Sequence, residues 1–200
     1  MTSTVRGARM AGKGLSLAGL IGMLALTAAP AFASGEAWEK DHHWVTGRIG
    51  IAKSGANLAP SGNVGFGAGY TWMLGTDVSW AATAGYDILG KYGAAAEIEI
   101  PVTTEFAKHF RMGPAARPYL GLGWGVIYHK TYRTTADTGG WRQGIYLATG
   151  ANTSIGRAGL VGVDFRWMIE QDTRSTNPTF PNPDASGSVT SLKLNYSYVF

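Results

Sequence analysis

The sequence predicts an all-β protein, an eight-stranded antiparallel up-and-down transmembrane β-barrel preceded by a cleaved signal peptide. Three observations lead there. Residues 191–200 alternate strictly, with Leu192, Leu194, Tyr196, Tyr198 and Phe200 on one face and Ser191, Lys193, Asn195 and Ser197 on the other. A period of two marks a strand with unlike faces. The chain opens with Arg6, Arg9 and Lys13, an uncharged apolar stretch from Leu15 to Ala29, and then Ala31, Phe32 and Ala33, the basic, apolar and small-residue order of a signal peptide. Finally, 29 glycines and an aromatic content of 12% suit a barrel with a crowded lumen and an outer surface that meets lipid interfaces.

Cleavage is expected after Ala33, which divides the chain into a signal peptide at 1–33 and a barrel domain at 34–200. The apolar stretch is short of the roughly 20 residues a membrane helix needs, and nothing basic follows to stop transfer. Removing it takes three of the 17 basic residues and none of the 13 acidic ones, so the formal charge falls from +4 to +1. That balance points to no nucleic-acid partner. With zero cysteines there is neither a disulfide frame nor a thiolate site. No run after residue 33 could form a membrane helix, so entry into a bilayer requires a closed barrel, which leaves no backbone group unpaired in hydrocarbon.

The strands follow in order. The first, about Trp44 to Ala52, sends Val45, Gly47, Ile49 and Ile51 outward and Thr46, Arg48 and Gly50 inward. In the second, Val64, Phe66, Ala68, Tyr70 and Trp72 alternate with Gly65, Gly67, Gly69 and Thr71. The third, about Val78 to Ile88, sets Val78, Trp80, Ala82, Ala84 and Tyr86 against Ser79, Thr83, Gly85 and Asp87. The fourth, about Tyr92 to Val102, has Ala94, Ala96, Ile98 and Ile100 outside and Glu97 and Glu99 inside.

The fifth, about Pro118 to Tyr128, turns Leu120, Leu122, Trp124 and Val126 out and Gly121, Gly123 and Gly125 in. The sixth, about Trp141 to Asn152, has Ile145, Leu147 and Thr149 out and Gly144, Tyr146 and Gly150 in. The seventh, about Gly159 to Met168, has Val161, Val163, Phe165 and Trp167 out and Gly162, Asp164 and Arg166 in. The eighth, about Ser188 to Phe200, closes the sheet. Each has the roughly 9–11 residues of a tilted transmembrane strand.

With the N-terminus in the periplasm, the outer links are Lys53 to Gly62, Leu89 to Lys91, His129 to Gly140 and Ile169 to Gly187; the periplasmic ones are Met73 to Asp77, Thr103 to Arg117 and Thr153 to Ala158. The Thr103 to Arg117 link is longer than such barrels usually have. Asn177, Pro178, Pro181, Pro183 and Asp184 mark a loop without a strand. Trp44, Trp72, Trp80, Tyr119, Tyr198 and Phe200 are expected at the periplasmic rim, and Tyr86, Tyr92, Tyr128, Tyr132, Trp141 and Trp167 at the outer rim, which makes two aromatic girdles. A soluble eight-stranded barrel would need a polar outer face, and here the second face is mostly Gly, Ser, Thr and Ala with a few charges.

The run Arg117-Pro118-Tyr119-Leu120-Gly121-Leu122-Gly123-Trp124-Gly125, the glycine-alternating second strand and the aromatic end resemble the OmpA/OmpX-like family of small outer-membrane β-barrels, also described as porin-family barrel domains. The resemblance spans essentially all of 34–200. It implies a Gram-negative cell outer membrane, a monomer, contact with outer-membrane lipid and lipopolysaccharide, and an assembly signal at Tyr196, Tyr198 and Phe200 read by the outer-membrane assembly machinery. It specifies fold more than function, because such barrels serve as adhesins, channels, anchors and lipid A enzymes. The chain ends with the barrel, and neither a peptidoglycan-binding domain nor the long outer strands of an OmpX-type adhesin is expected.

Inward positions collect Arg48, Asp87, Glu97, Glu99, Asp164, Arg166 and Lys193. Eight strands leave a lumen just wide enough for side chains to fill, so these charges are expected to pair and close it. The reading is a non-enzymatic protein with a structural or surface-interaction role through outer loops that could bind an extracellular ligand; the alternative is a narrow gated pore, and the second alternative a lipid A modifying enzyme. Glu97 and Glu99 share one strand face, as an acid/base pair would, but lumen cations explain them equally. His42, His43, His109 and His129 show no metal-ligand spacing beyond the adjacent pair His42 and His43, expected in a solvated segment beside Asp41. His129 has no local Ser motif of the kind an acyl hydrolase needs. No cofactor, metal or catalytic residue is expected.

Overall fold

The computed structural model describes residues 36–54, 63–92, 95–112, 116–132, 137–156, 158–172 and 186–200. The predicted signal peptide and the loop from Asn177 to Asp184 lie outside these residues. One turn of 3-10 helix, Glu36–Trp38, precedes eight strands: β1 His43–Ser54, β2 Val64–Gly75, β3 Val78–Tyr92, β4 Ala95–His109, β5 Ala116–Tyr132, β6 Thr138–Ile155, β7 Gly159–Asp172 and β8 Ser186–Val199. Each strand pairs antiparallel with the next, and β8 pairs with β1 from Trp44 opposite Val199 to Ser54 opposite Val189. The sheet is closed, and its paired strands leave no open edge.

The alternation read from the sequence is the alternation of the barrel, except that Ile98, expected on the outer face, is only 6% exposed. Outward residues form an apolar surface: Ile49 is 61% exposed, and Leu122 and Leu194 are each 65% exposed. Water would not favour so continuous a band of exposed aliphatic side chains, whereas hydrocarbon costs it nothing. The rim that carries both strand ends, the start of β1 and the end of β8, is called the terminal rim below; the opposite one is the far rim. Trp72 and Phe200 are exposed near the terminal rim and Tyr132, Trp141 and Trp167 near the far rim.

Several expected boundaries change. The strands run for 12 to 18 residues, from β1 to β6, and so absorb residues read as links. The long connection from Thr103 to Arg117 is mostly strand. Thr103, Glu105, Ala107 and His109 keep the buried phase of β4 while Phe106 and Lys108 face out, and the Phe110 N–H donates to the Pro118 carbonyl at 2.7 Å. The Lys108 charge hides this continuation from a reading by hydrophobicity. Tyr92, expected to open the fourth strand, instead ends β3.

Trp44 and Tyr119 sit at the right height for a girdle but on the inward phase, 3% and 6% exposed. His43 is the first residue of β1, stacked on Tyr70, Trp72 and Phe200 rather than lying in a solvated segment. Two irregularities interrupt the ladder between β3 and β4: the register shifts by one residue between Ile88 and Gly90, and rungs are missing further along. In unchanged register, pairing lapses between Ala84 opposite Val102 and Asp87 opposite Glu99, a stretch that contains Pro101, which has no N–H to give.

Candidate functional site

The inward side chains form three groups stacked along the lumen. At the terminal rim, the chain before β1 folds under the barrel. Trp38, fully buried, packs with Trp44, Met73, Leu160 and Val199. The Arg117 guanidinium lies over the Trp38 ring at 5.0 Å and donates to Asp77 at 2.5 Å. Arg111 adds a second cation to Asp77 at 2.9 Å.

Halfway up, Arg166 crosses the lumen from β7. It reaches Asp164 at 3.0 Å and Glu105 at 3.1 Å, and its guanidinium sits 5.0 Å from the centre of the Tyr146 ring. Arg48 approaches the same Asp164 at 3.9 Å, and the Tyr119 hydroxyl donates to it at 2.6 Å. Two cations thus face two carboxylates, with neutral hydroxyls filling the remaining positions. The Tyr146 ring occupies the place a side chain on Gly123 would take, so the glycine makes room for the bulk that blocks the lumen.

Toward the far rim, Lys193 donates to Asp87 at 2.5 Å over Gly65, whose missing side chain leaves space for the pair. Arg142 lies 3.3 Å from Glu170 and 3.6 Å from Glu99. His129 Nδ1 is 3.1 Å from Glu99 and its Nε2 is 3.2 Å from Thr131. Glu97 is buried in the same region.

The structure therefore brings Arg48, Asp164 and Arg166 into one group and Asp87 and Lys193 into a separate pair, while Glu99 takes partners absent from the expected set. Glu105, Arg142, Glu170, Arg117 and Asp77 are lumen charges that sequence reasoning did not select. Glu105, Arg142 and Glu170 were within reach of it: Glu105 and Glu170 continue the inward phase of a recognised strand beyond its expected end, and Arg142 lies on the inward phase inside the expected sixth strand. Asp77 carried no such signal, because its place is set by a turn, where its φ of 62° lies in the left-handed region that Asp tolerates better than most residues.

Two cavities flank the central group. One of about 40 Å³ is lined by Asp87, Glu99, Glu170 and Lys193 among others, and one of about 30 Å³ by Glu105, His109, Asn152 and Asn195 among others. Each has room for only a few water molecules. Among the described residues, no group of three or more His, Cys, Asp or Glu side chains could hold a metal ion.

No family model and no curated protein matches the chain. Solved structures do. Neisserial surface protein A superposes with a TM-score of 0.66 at 12% identity, covering 79% of this chain and 97% of that one. The N-terminal β-barrel domain of OprF from Pseudomonas aeruginosa gives a TM-score of 0.56 at 11% identity, covering 80% and 98%. Ail, the attachment invasion locus protein of Yersinia pestis, gives 0.53 at 12% identity, covering 81% and 99%. At these identities the likeness is one of fold. The chain has the fold of the small eight-stranded outer-membrane β-barrels, the OmpA/OmpX-like architecture that its sequence resembles.

Proposed function

We propose that the chain is a closed barrel of a Gram-negative outer membrane, non-enzymatic, with a structural or surface-interaction role exercised at the far, extracellular rim. In this reading residues 1–33 are removed on export, the terminal rim faces the periplasm, and lipid and lipopolysaccharide surround the exposed apolar band. The outward aromatics of β8, Tyr196, Tyr198 and Phe200, are what the assembly machinery reads.

The observation that carries the proposal is the central group. Arg166, spanning from Asp164 to Glu105 and stacked on Tyr146, fills a lumen that eight strands already make narrow, and the cavities on either side are water-sized. A protein closed at its middle acts through its surface. The enzyme alternative loses its candidate base, because His129 turns into the lumen, 7% exposed, and Thr131 beside it is 4% exposed. Neither residue lines the two cavities.

Single-channel recording of the refolded protein in a planar bilayer tests this. A silent bilayer is expected. Discrete, reproducible openings that change in Arg166 or Glu97 variants would overturn it in favour of a gated pore. With silence established, deletion of 177–186 should abolish binding to host-surface preparations while the folded barrel persists; undiminished binding would remove the loop from the proposal.

A further inference from the structure

We propose that residues 36–42 are a latch: a strap that seats only after β8 has met β1, and that then sets how slowly the closed barrel comes apart.

The socket for the strap is what orders these events. Trp38 meets the Trp44 ring of β1 edge-on and shares one buried cluster with Trp44, Met73 of β2, Leu160 of β7 and Val199 of β8. The first and last strands of the barrel both contribute, so the socket is complete only when the seam between them has closed. Backbone bonds then tie the strap along its length. The Trp44 indole N–H donates to the Ala37 carbonyl at 2.9 Å. The Asp77 N–H donates to the Trp38 carbonyl at 2.9 Å, and Asp41 and His42 exchange bonds with Met73 at 2.8 and 2.9 Å.

The fastening point is Asp77. Its backbone holds Trp38 and its carboxylate takes Arg117 and Arg111, while Arg117 covers the Trp38 ring. Among the described residues the non-glycine positions with positive φ are Asp41, at 67°, and Asp77, at 62°. One ends the strap and the other fastens it. Backbone held in this sparsely occupied region persists only where surrounding contacts over-determine it.

Contacts that form after the folding transition state slow unfolding and leave the folding rate alone. The test is therefore kinetic. The protein in detergent micelles is unfolded and refolded in denaturant, and the folded and unfolded bands are followed by gel mobility. Trp38→Ala should unfold roughly 100- to 1,000-fold faster or more, given the usual cost of emptying a buried Trp site, and should fold within about twofold of the parent rate. Asp77→Asn keeps the N–H and tolerates the same φ but loses the charge opposite Arg117 and Arg111; it should unfold roughly tenfold faster with folding again unchanged. Unfolding at the parent rate in both variants would make the strap a passive end. Folding slowed as much as unfolding is accelerated, or failure of Trp38→Ala to close, would place the strap in the folding nucleus. Either result overturns the latch.

Discussion

The two ends of the lumen are filled in different ways. At the terminal rim the filling is mainly apolar, with Trp38, Trp44, Met73, Leu160 and Val199 packed as a small core and the Arg117–Asp77–Arg111 ion pairs at its edge. Toward the far rim the filling is charged, with Lys193 on Asp87 and Arg142 between Glu99 and Glu170. The same eight strands support both, so the difference lies in which side chains occupy the inward phase. Packing fails when volume is removed, whereas ion pairing fails when one partner is removed and the other is left buried and uncompensated.

The boundary between the two regimes is the sharpest place to strike. Arg166→Met should cost about 3–5 kcal/mol in a urea titration of the micelle-bound protein, because Asp164 and Glu105 lose a shared cation. A loss below about 1 kcal/mol would show that the two ends are held independently of the centre. Next comes Leu160→Ala in the packed end, expected to cost about 2–5 kcal/mol and to cost the same at low and high salt. Salt dependence there would erase the distinction between the ends.

Smaller effects refine the picture. Gly123→Ala would drive a methyl group into the Tyr146 ring and should cost about 1–3 kcal/mol as overpacking. Tyr146→Phe should cost less than about 1 kcal/mol, since its hydroxyl contacts with Thr103 and Thr104 are 3.3 Å long while the ring under Arg166 is kept. A larger loss would mean that the hydroxyl, and not the ring, holds Arg166 in place.

What the sequence showed of this molecule follows from what a period of two can encode. Every strand was legible because each places residues such as Leu192, Leu194 and Tyr196 on one face over a length too long for coincidence. Strand ends were less legible. Phe106 and Lys108 continue the outward phase of β4, yet only pairing with β3 and β5 shows that they are strand. The phase put Arg48, Asp164 and Lys193 on the inward face, but it led neither to the further lumen charges Glu105, Arg142 and Glu170 nor to the partners that any of them take. Arg166 meets Glu105 because β4 and β7 face one another across the closed sheet, a relation with no trace along the chain. The strap was invisible for a similar reason: Glu36 to His42 has no period, and Trp38 acquires its place only from residues that closure brings together.

Pro101 carries a last consequence. Where the rungs between β3 and β4 are skipped, amide protons on the two sides of the gap are expected to form separate protected blocks, one running from Val78 to Ala84 and the other at Asp87 and Ile88, before the register shift at Gly90. Hydrogen exchange in this hairpin should therefore report two lifetimes rather than one. The wall of the barrel has a built-in crease, and slow opening of the sheet is expected to begin along it.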